Sequence, residues 1–280
     1  MKRIYVVTVS EPHDKELARN IYERVAKNVP SMFSKLCRYD ETGPIQLPLE
    51  CGSSDYEYVI NACAENNLSY SITSQRVHYS NAELKKVAYF NMVIPYPLEL
   101  EGTDAEDYGT IYTGGCPVCG LGKKPIGDVL VDRRFLRKCK MGVLFPDIYV
   151  SANIKDLILA NGFTGVSFEN QVKDYKNRDI PKAFVMNIQN VLPPMRKSTW
   201  LEPDKYIDKR YEKCGHQVVY LRSDIQYEKE HLKDAKDFNL TCEHVNNYRL
   251  QEIIVSAKVK ELFQSHKVFA FYFPVMLCEE

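Results

Sequence analysis

The sequence predicts a mixed α/β (α+β) fold: an N-terminal α/β domain, then two related strand–helix–strand modules, the first with a zinc-knuckle-like hairpin. Three observations support this prediction. Strand and helix signals alternate over residues 1–108, the C-terminal half contains an internal repeat, and one CPxCG motif lies between these two regions. The chain has 280 residues, 45% of them hydrophobic, which is enough to form a substantial core.

The first 108 residues show the periodicities of both strands and helices. Residues 4–9 form an apolar run that predicts an opening strand, and apolar residues recur every fourth position from Leu17 to Val29, as on one face of a helix. Residues 55–66 predict a second helix. Ser80 and Glu83 fit a capping box, in which each side chain satisfies a free amide at a helix start. This region is therefore predicted as one α/β domain.

The internal repeat is the most informative feature of the C-terminal half. Residues 149–168 and 254–273 align without a gap at an offset of 105 positions. In each copy a strand leads to a serine suited to cap a helix, Ser151 or Ser256, and apolar residues follow at helical spacing before a second apolar strand. The pattern predicts a duplicated module. The alternative is two unrelated segments that share a strand–serine–helix start.

Two segments mark the predicted domain boundaries. One is the acidic stretch at residues 99–107, and the other is the proline-containing stretch at residues 191–195. They divide the chain into an N-terminal domain (1–108), a CPxCG knuckle with the first module (109–190) and a second, degenerate module (191–280).

Composition narrows the classes of partner and compartment. The 37 basic and 37 acidic residues cancel, so no global field attracts nucleic acid or an anionic membrane. No apolar run reaches the roughly 20 residues that a membrane-spanning helix needs. Nine cysteines without a secretory signal favour a reducing compartment over a disulfide framework. The expected location is the cytoplasm.

The candidate site residues are cysteines of the CPxCG motif. In Cys116-Pro117-Val118-Cys119-Gly120 a tight turn can aim both sulfurs at one ion, and Cys139 is the natural third ligand of a structural zinc site. A tetrahedral site needs a fourth ligand, for which Cys37, Cys51 or a histidine is available. Bound zinc, a knuckle that has lost its metal and redox chemistry remain the three open interpretations.

Signatures of catalysis are absent from the sequence. It contains no Walker loop, no G-x-S-x-G, no H-E-x-x-H and no G-x-G-x-x-G motif. We therefore expect no catalytic residues and no enzymatic activity, with an enzyme of unrecognised site as one alternative. A second alternative is a zinc-ribbon nucleic-acid-associated protein. Its phosphate contacts would come from a basic cluster beside the knuckle, comprising Arg133, Arg134, Arg137, Lys138 and Lys140.

The C-terminal half resembles bacterial immunity proteins of polymorphic-toxin systems, of the double-CxxCG type. The resemblance covers about 60 residues, and its motifs are short. They are the CPVCG knuckle at residues 116–120 and a V-S…L…G…G…F pattern at Val150, Ser151, Leu157, Gly162, Gly165 and Phe168. The resemblance implies a protein-binding factor that neutralises a cognate toxin in the cytoplasm and has no catalysis of its own.

Overall fold

The structure is a computed structural model of the 280-residue chain. It describes residues 2–10, 15–29, 34, 36–39, 44–94, 109–118, 121–132, 134, 137, 140–144, 147–180, 182–203, 219–245 and 250–279. The chain contains both helices and strands, and the strands form several sheets, which confirms the mixed α/β class. No helix in these ranges combines the length and apolar character needed to cross a bilayer.

The chain forms two compact units. The first comprises Met1–Lys86 with Arg222–Asp224, and the second comprises Val87–Leu221 with Ile225–Glu280. The predicted boundary segment at residues 99–107 lies outside the described residues. Residues 87–94, which lie within the predicted N-terminal domain (1–108), belong to the second unit.

The first unit is a three-stranded antiparallel sheet with helices. Its sheet has the order β2–β1–β3. Its elements are β1 (Lys2–Val9), α1 (Lys15–Ala26), β2 (Ile45–Glu50), α2 (Ser54–Glu65), β3 (Tyr70–His78) and the one-turn α3 (Asn81–Leu84). The two longer helices start and end within a few residues of the predicted ones.

The core of this unit follows from strand alternation. Val7 and Val9 of β1 lie opposite Leu47 and Ile45 of β2, and all four are fully buried. Cross-strand pairs share one face of a sheet, and here that face packs against buried residues of α1 and α2. The predicted capping box is also present, because Ser80 N donates to Glu83 Oε2 (2.8 Å) and Glu83 N donates to Ser80 Oγ (3.3 Å).

The second unit contains a five-stranded sheet, a six-stranded sheet and two strand pairs. The sheet orders are β7–β10–β11–β9–β8 and β12–β13–β15–β16–β4–β17, and the pairs are β5–β6 and β14–β18. Its first elements are β4 (Tyr89–Val93), β5 (Tyr112–Thr113), β6 (Lys124–Pro125), β7 (Val129–Val131), β8 (Met141–Leu144), β9 (Asp147–Ser151), α4 (Ala152–Ala160), β10 (Val166–Asp174) and β11 (Ala183–Ile188). The remaining elements are β12 (Leu201–Pro203), β13 (Val219–Leu221), β14 (Gln226–Glu228), a 3-10 helix (Lys229–Leu232), β15 (Phe238–Val245), β16 (Leu250–Ser256), α5 (Ala257–Ser265), β17 (Phe271–Pro274) and β18 (Met276–Cys278).

The two repeat copies have the predicted strand–helix–strand order. They are β9–α4–β10 and β16–α5–β17, and each nine-residue helix begins directly after its serine, at the offset of 105. In each copy one strand lies between the two repeat strands and is antiparallel to both. That middle strand is β11 in the first copy and β4 in the second. The second copy therefore takes its middle strand from far upstream in the chain.

Contacts to the middle strands are duplicated as well as the elements. Ala152 N donates to Lys182 O and Ala257 N donates to Ala88 O, both at 2.8 Å. A lysine ammonium of each helix lies over a phenylalanine ring of the middle strand: Lys155 over Phe184 at 3.9 Å, and Lys260 over Phe90 at 4.4 Å. Position by position, Phe184 of β11 thus corresponds to Phe90 of β4.

The two copies meet through reciprocal contacts. Lys140 and Asp237 are equivalent, because each carbonyl accepts from the backbone N–H of the capping serine of its own copy. Lys140 Nζ donates to His266 O (2.9 Å) after the helix of the second copy, and Asp237 Oδ2 accepts from Thr164 Oγ1 (3.0 Å) after the helix of the first. Each contact therefore joins the segment before the helix of one copy to the segment after the helix of the other.

One hydrophobic core joins the two copies. It contains equivalent residues from both, with at most 3% of their surface exposed. These pairs are Val150 with Val255, Ile154 with Val259, and Ile158 with Phe263. Neither module therefore buries its apolar helix face alone.

The strand after the helix departs from the ungapped sequence alignment by one residue. Phe168 lies opposite the buried Met186 of β11, whereas Tyr272 lies opposite the equivalent Met92 of β4. Phe168 therefore corresponds to Tyr272, although the sequence alignment pairs it with Phe273. Because side chains alternate across a strand, a slip of one residue moves Phe273 to the opposite face.

The helix caps provide a matched stability prediction. Ser256 Oγ accepts from Val259 N (3.4 Å) and donates to Asp237 Oδ1 (2.8 Å), whereas Ser151 makes no side-chain cap bond. We expect Ser256→Ala to lower the free energy of unfolding by about 1 kcal/mol. Ser151→Ala should lower the free energy of unfolding by only a few tenths of about 1 kcal/mol. Urea denaturation of the two variants measures both values, and equal losses would contradict the different roles of the two serines.

Candidate functional site

The structure describes the first three residues of the CPxCG motif, Cys116 to Val118. It lies between β5 and β6, and Gly114 and Gly115 precede it at φ +70° and +75°, where glycine is favoured. A Cβ on Gly115 would lie 2.6 Å from Lys123 N. Cys116 N donates to Leu121 O at 2.8 Å, which closes the turn.

The prediction that the chain is a metal-binding zinc protein is contradicted within the described residues. No group of three or more His, Cys, Asp or Glu side chains in these ranges is placed to hold a metal ion. Of the predicted ligands, Cys116 is described, whereas Cys119 and Cys139 lie outside the described residues. The physical reason is the ligand count, since a structural zinc site needs four ligands around one point. Zinc is therefore no part of the function proposed below.

The basic cluster beside the knuckle is partly engaged in bonds within the chain. Arg134 Nη2 lies 2.9 Å from Asp132 Oδ2, and Lys140 Nζ donates to the His266 carbonyl. Arg134 holds the pKa of the nearly buried Asp132 carboxyl below its usual value, mainly through that hydrogen bond. Arg133 and Lys138 lie outside the described residues. These contacts give Arg134 and Lys140 a role in the fold and weaken the case for phosphate binding.

A cluster of exposed apolar side chains of the second unit lies at β17 and its neighbour β4. It consists of Val93, Phe269, Phe271 and Phe273, which we call the phenylalanine patch. Their exposed fractions are 36%, 66%, 42% and 43%. Phe271 lies directly opposite Val93, and its ring meets that of Phe269 edge to face at 5.3 Å between centroids. These side chains form one surface.

The register slip explains why this surface faces outward. Ala270 and Tyr272 of the second copy pack against the shared core, so the alternating positions Phe271 and Phe273 point away from it. In the first copy the core-facing positions are Val166 and Phe168. Both strands have an apolar alternation, but only the second copy has large apolar residues on the outer positions.

A buried polar group adjoins the phenylalanine patch. Asn91 lies opposite Phe273 on the same sheet face, is only 5% exposed, and donates from Nδ2 to Glu252 Oε2 at 2.9 Å. Its Oδ1 is buried and has no hydrogen-bond donor among the described residues. An unsatisfied buried acceptor costs about 1–3 kcal/mol, so native structures seldom keep one without a reason.

A small cleft is lined by residues of both large sheets of the second unit. Its volume is about 230 Å³. Its apolar wall includes two pairs of equivalent residues, Ile148 with Ile253 and Val143 with Leu240, so both copies contribute to it. Asp147 also lines it and accepts from Tyr112 Oη at 2.6 Å.

A larger cleft of about 670 Å³ lies beside the 3-10 helix. One ion pair lies in its lining, between Lys233 Nζ and Glu230 Oε1 at 2.5 Å, and Glu228 pairs with Arg196, which lies outside the lining, at 2.9 Å. Cys278 also lines it. Carboxylates and ammonium groups are therefore both present in this cleft.

The environment of Asp147 predicts a pH dependence. Burial raises the pKa of its carboxyl, and the bond from Tyr112 and the charge of Lys123 only partly offset this effect. A carboxyl with a raised folded-state pKa stabilises the fold most below its unfolded value, and this contribution is lost as the pH rises through the folded value. We expect the stability of Asp147→Asn, relative to the native chain, to increase as the pH rises from about 4 towards neutral. Urea unfolding over that range measures the difference, and a flat or falling difference would contradict it.

Sequence reasoning located the knuckle turn but missed the patch and the cleft. The sequence shows phenylalanine at alternate positions 269, 271 and 273. Which face of the sheet these side chains occupy depends on the length of the loop before β17. Comparison with known protein families and with curated proteins gave no match for this chain. Its function must therefore be argued from geometry.

Proposed function

We propose that the protein is a non-enzymatic binding factor that recognises a partner protein through the phenylalanine patch. The observation that carries the proposal is the exposure of three phenylalanines and Val93 on one sheet face. Contiguous apolar surface on a folded chain marks interaction sites, and aromatic side chains contribute most of the binding energy in many interfaces.

Asn91 narrows the chemistry of the partner. Its orphan Oδ1 lies at the inner margin of the patch, beside Phe273. A partner that inserts an apolar side chain against Phe271 and brings an N–H or O–H donor towards Asn91 would satisfy both features. The gain would combine burial of apolar surface with repair of an unsatisfied acceptor.

The resemblance to immunity proteins of the double-CxxCG type suggests which partner to expect. It implies a cognate bacterial toxin that the protein neutralises by binding. The cytoplasm, inferred from the cysteine content, is the compartment we propose for this interaction. The proposal that the phenylalanine patch binds a partner protein depends on neither the toxin nor the compartment.

The experiment is affinity capture from a lysate of the source cells with three forms of the chain. These are the native sequence, the Phe269→Ser/Phe271→Ser variant, and Leu159→Ser as a control at another apolar side chain, 55% exposed. We expect one stoichiometric protein with the native chain and the control, and its loss with the patch variant. Equal recovery by all three forms would refute the patch, and nuclease-sensitive nucleic acid in the eluate would favour the nucleic-acid alternative.

A further inference from the structure

We infer that the small cleft lined by both repeat copies is a binding site for a small amphipathic organic cation, an amine with an apolar group. This site is separate from the phenylalanine patch and does not depend on the proposed protein partner.

The wall of the cleft suits an apolar group. Val143 and Ile253 are 6% and 8% exposed, and Ile148 and Leu240 are half-buried. The cleft volume of about 230 Å³ far exceeds the roughly 15 Å³ that one water molecule needs. Concave sites with mostly apolar linings and a few polar groups are the usual binding sites for small molecules.

The rim determines the charge of the ligand. Among the described residues of the lining Asp147 is the charged one, and the amides Asn187 and Gln251 also line the cleft. Gln251 donates from Nε2 to the Thr241 carbonyl at 2.6 Å, which holds that side chain in place. One Asp147 oxygen accepts from Tyr112, and the charge of Lys123, which is not among those lining residues, offsets part of the carboxylate's charge. A carboxylate at an apolar cleft whose described lining holds no cation favours a cationic head group, because opposite charge offsets the cost of burying it.

The site also has a structural rationale in the duplication. Equivalent apolar residues of both copies line the cleft. Position 147 differs between the copies, because its equivalent is Glu252, which accepts from Asn91 and is not among the described lining residues. One orientation of the ligand, with its head towards Asp147, is therefore favoured over its reverse.

The test compares three probes of one chain length on the full protein: hexylamine, hexanol and hexanoate. Methyl NMR follows the isoleucines of the cleft during each titration. We expect saturable shifts of Ile148 and Ile253 with hexylamine and weaker ones with hexanol. Hexylamine should bind at least about tenfold more tightly than hexanoate, a difference of about 1.4 kcal/mol.

A pair of variants separates the carboxylate from general charge. Asp147→Asn should weaken hexylamine at least about tenfold and leave hexanol unchanged, whereas Asp156→Asn on the exposed face of α4 should alter neither. Equal affinity for hexylamine and hexanoate, or shifts that do not saturate, would overturn the inference. If Asp147→Asn fails to fold, the three-probe comparison on the native chain still decides.

Discussion

Replacing Phe263 by alanine is expected to lower the free energy of unfolding by about 3–5 kcal/mol. The ring is fully buried, and its centroid lies 6.0 Å from that of Phe238 in the core that both repeat copies share. Removing it leaves a cavity that neighbouring strands cannot fill without breaking their ladders. Ile158→Ala, at the equivalent position of the first copy, should cost about 2–5 kcal/mol for the same reason.

The shared core predicts that the two repeat copies unfold cooperatively. Because residues of both copies form one cluster, each variant should destabilise both copies together in a single transition of the second unit. Denaturation followed by probes in each copy tests this expectation. Phe269→Ala, at a 66% exposed ring, is the matched control and should change stability by no more than about 0.5 kcal/mol. Separate transitions for the two copies, or equal losses at Phe263 and Phe269, would contradict a common core.

The second large effect concerns binding. Phe269→Ser/Phe271→Ser should weaken the partner complex at least about 100-fold, because two aromatic contacts at the centre of an interface are together worth roughly 3 kcal/mol or more. The two rings contact each other, so their contributions should not add as independent terms. Folding should change little, since both rings are largely outside the core. Calorimetric titration of the captured partner measures the affinity.

The control variant for this prediction changes another apolar side chain that is exposed to solvent. Leu159 is 55% exposed on α4 and is not one of the patch residues, and Leu159→Ser should leave affinity within about twofold. A patch variant that binds as tightly as the native chain would locate the interface elsewhere. A loss shared equally by Leu159→Ser would indicate general destabilisation.

Local structure was predictable from the sequence because local interactions determine it. The serines that begin α4 and α5 and the capping box at Ser80 are found where their spacing predicts. Gly115 stands where the CPxCG turn needs a left-handed residue. Each of these depends on neighbours within about four positions, which a single sequence displays directly.

Pairing between distant segments was not predictable in the same way. β4 lies between β16 and β17, more than 150 residues away in the chain, and no local pattern indicates that partner. The slip that turns Phe271 and Phe273 outward depends on one residue in a loop, which an ungapped alignment hides. The predicted metal site finds no support among the described residues for a related reason: a CxxC turn is local, but the further ligands must come from elsewhere in the fold.

The most direct test of the binding proposal is site-specific photocrosslinking in the presence of the partner. A benzophenone amino acid replaces Phe271 in one form of the chain and Leu159 in another. The account predicts a covalent adduct with the partner from position 271 and none from position 159. An adduct from position 159 alone would contradict the assignment of the phenylalanine patch as the interface.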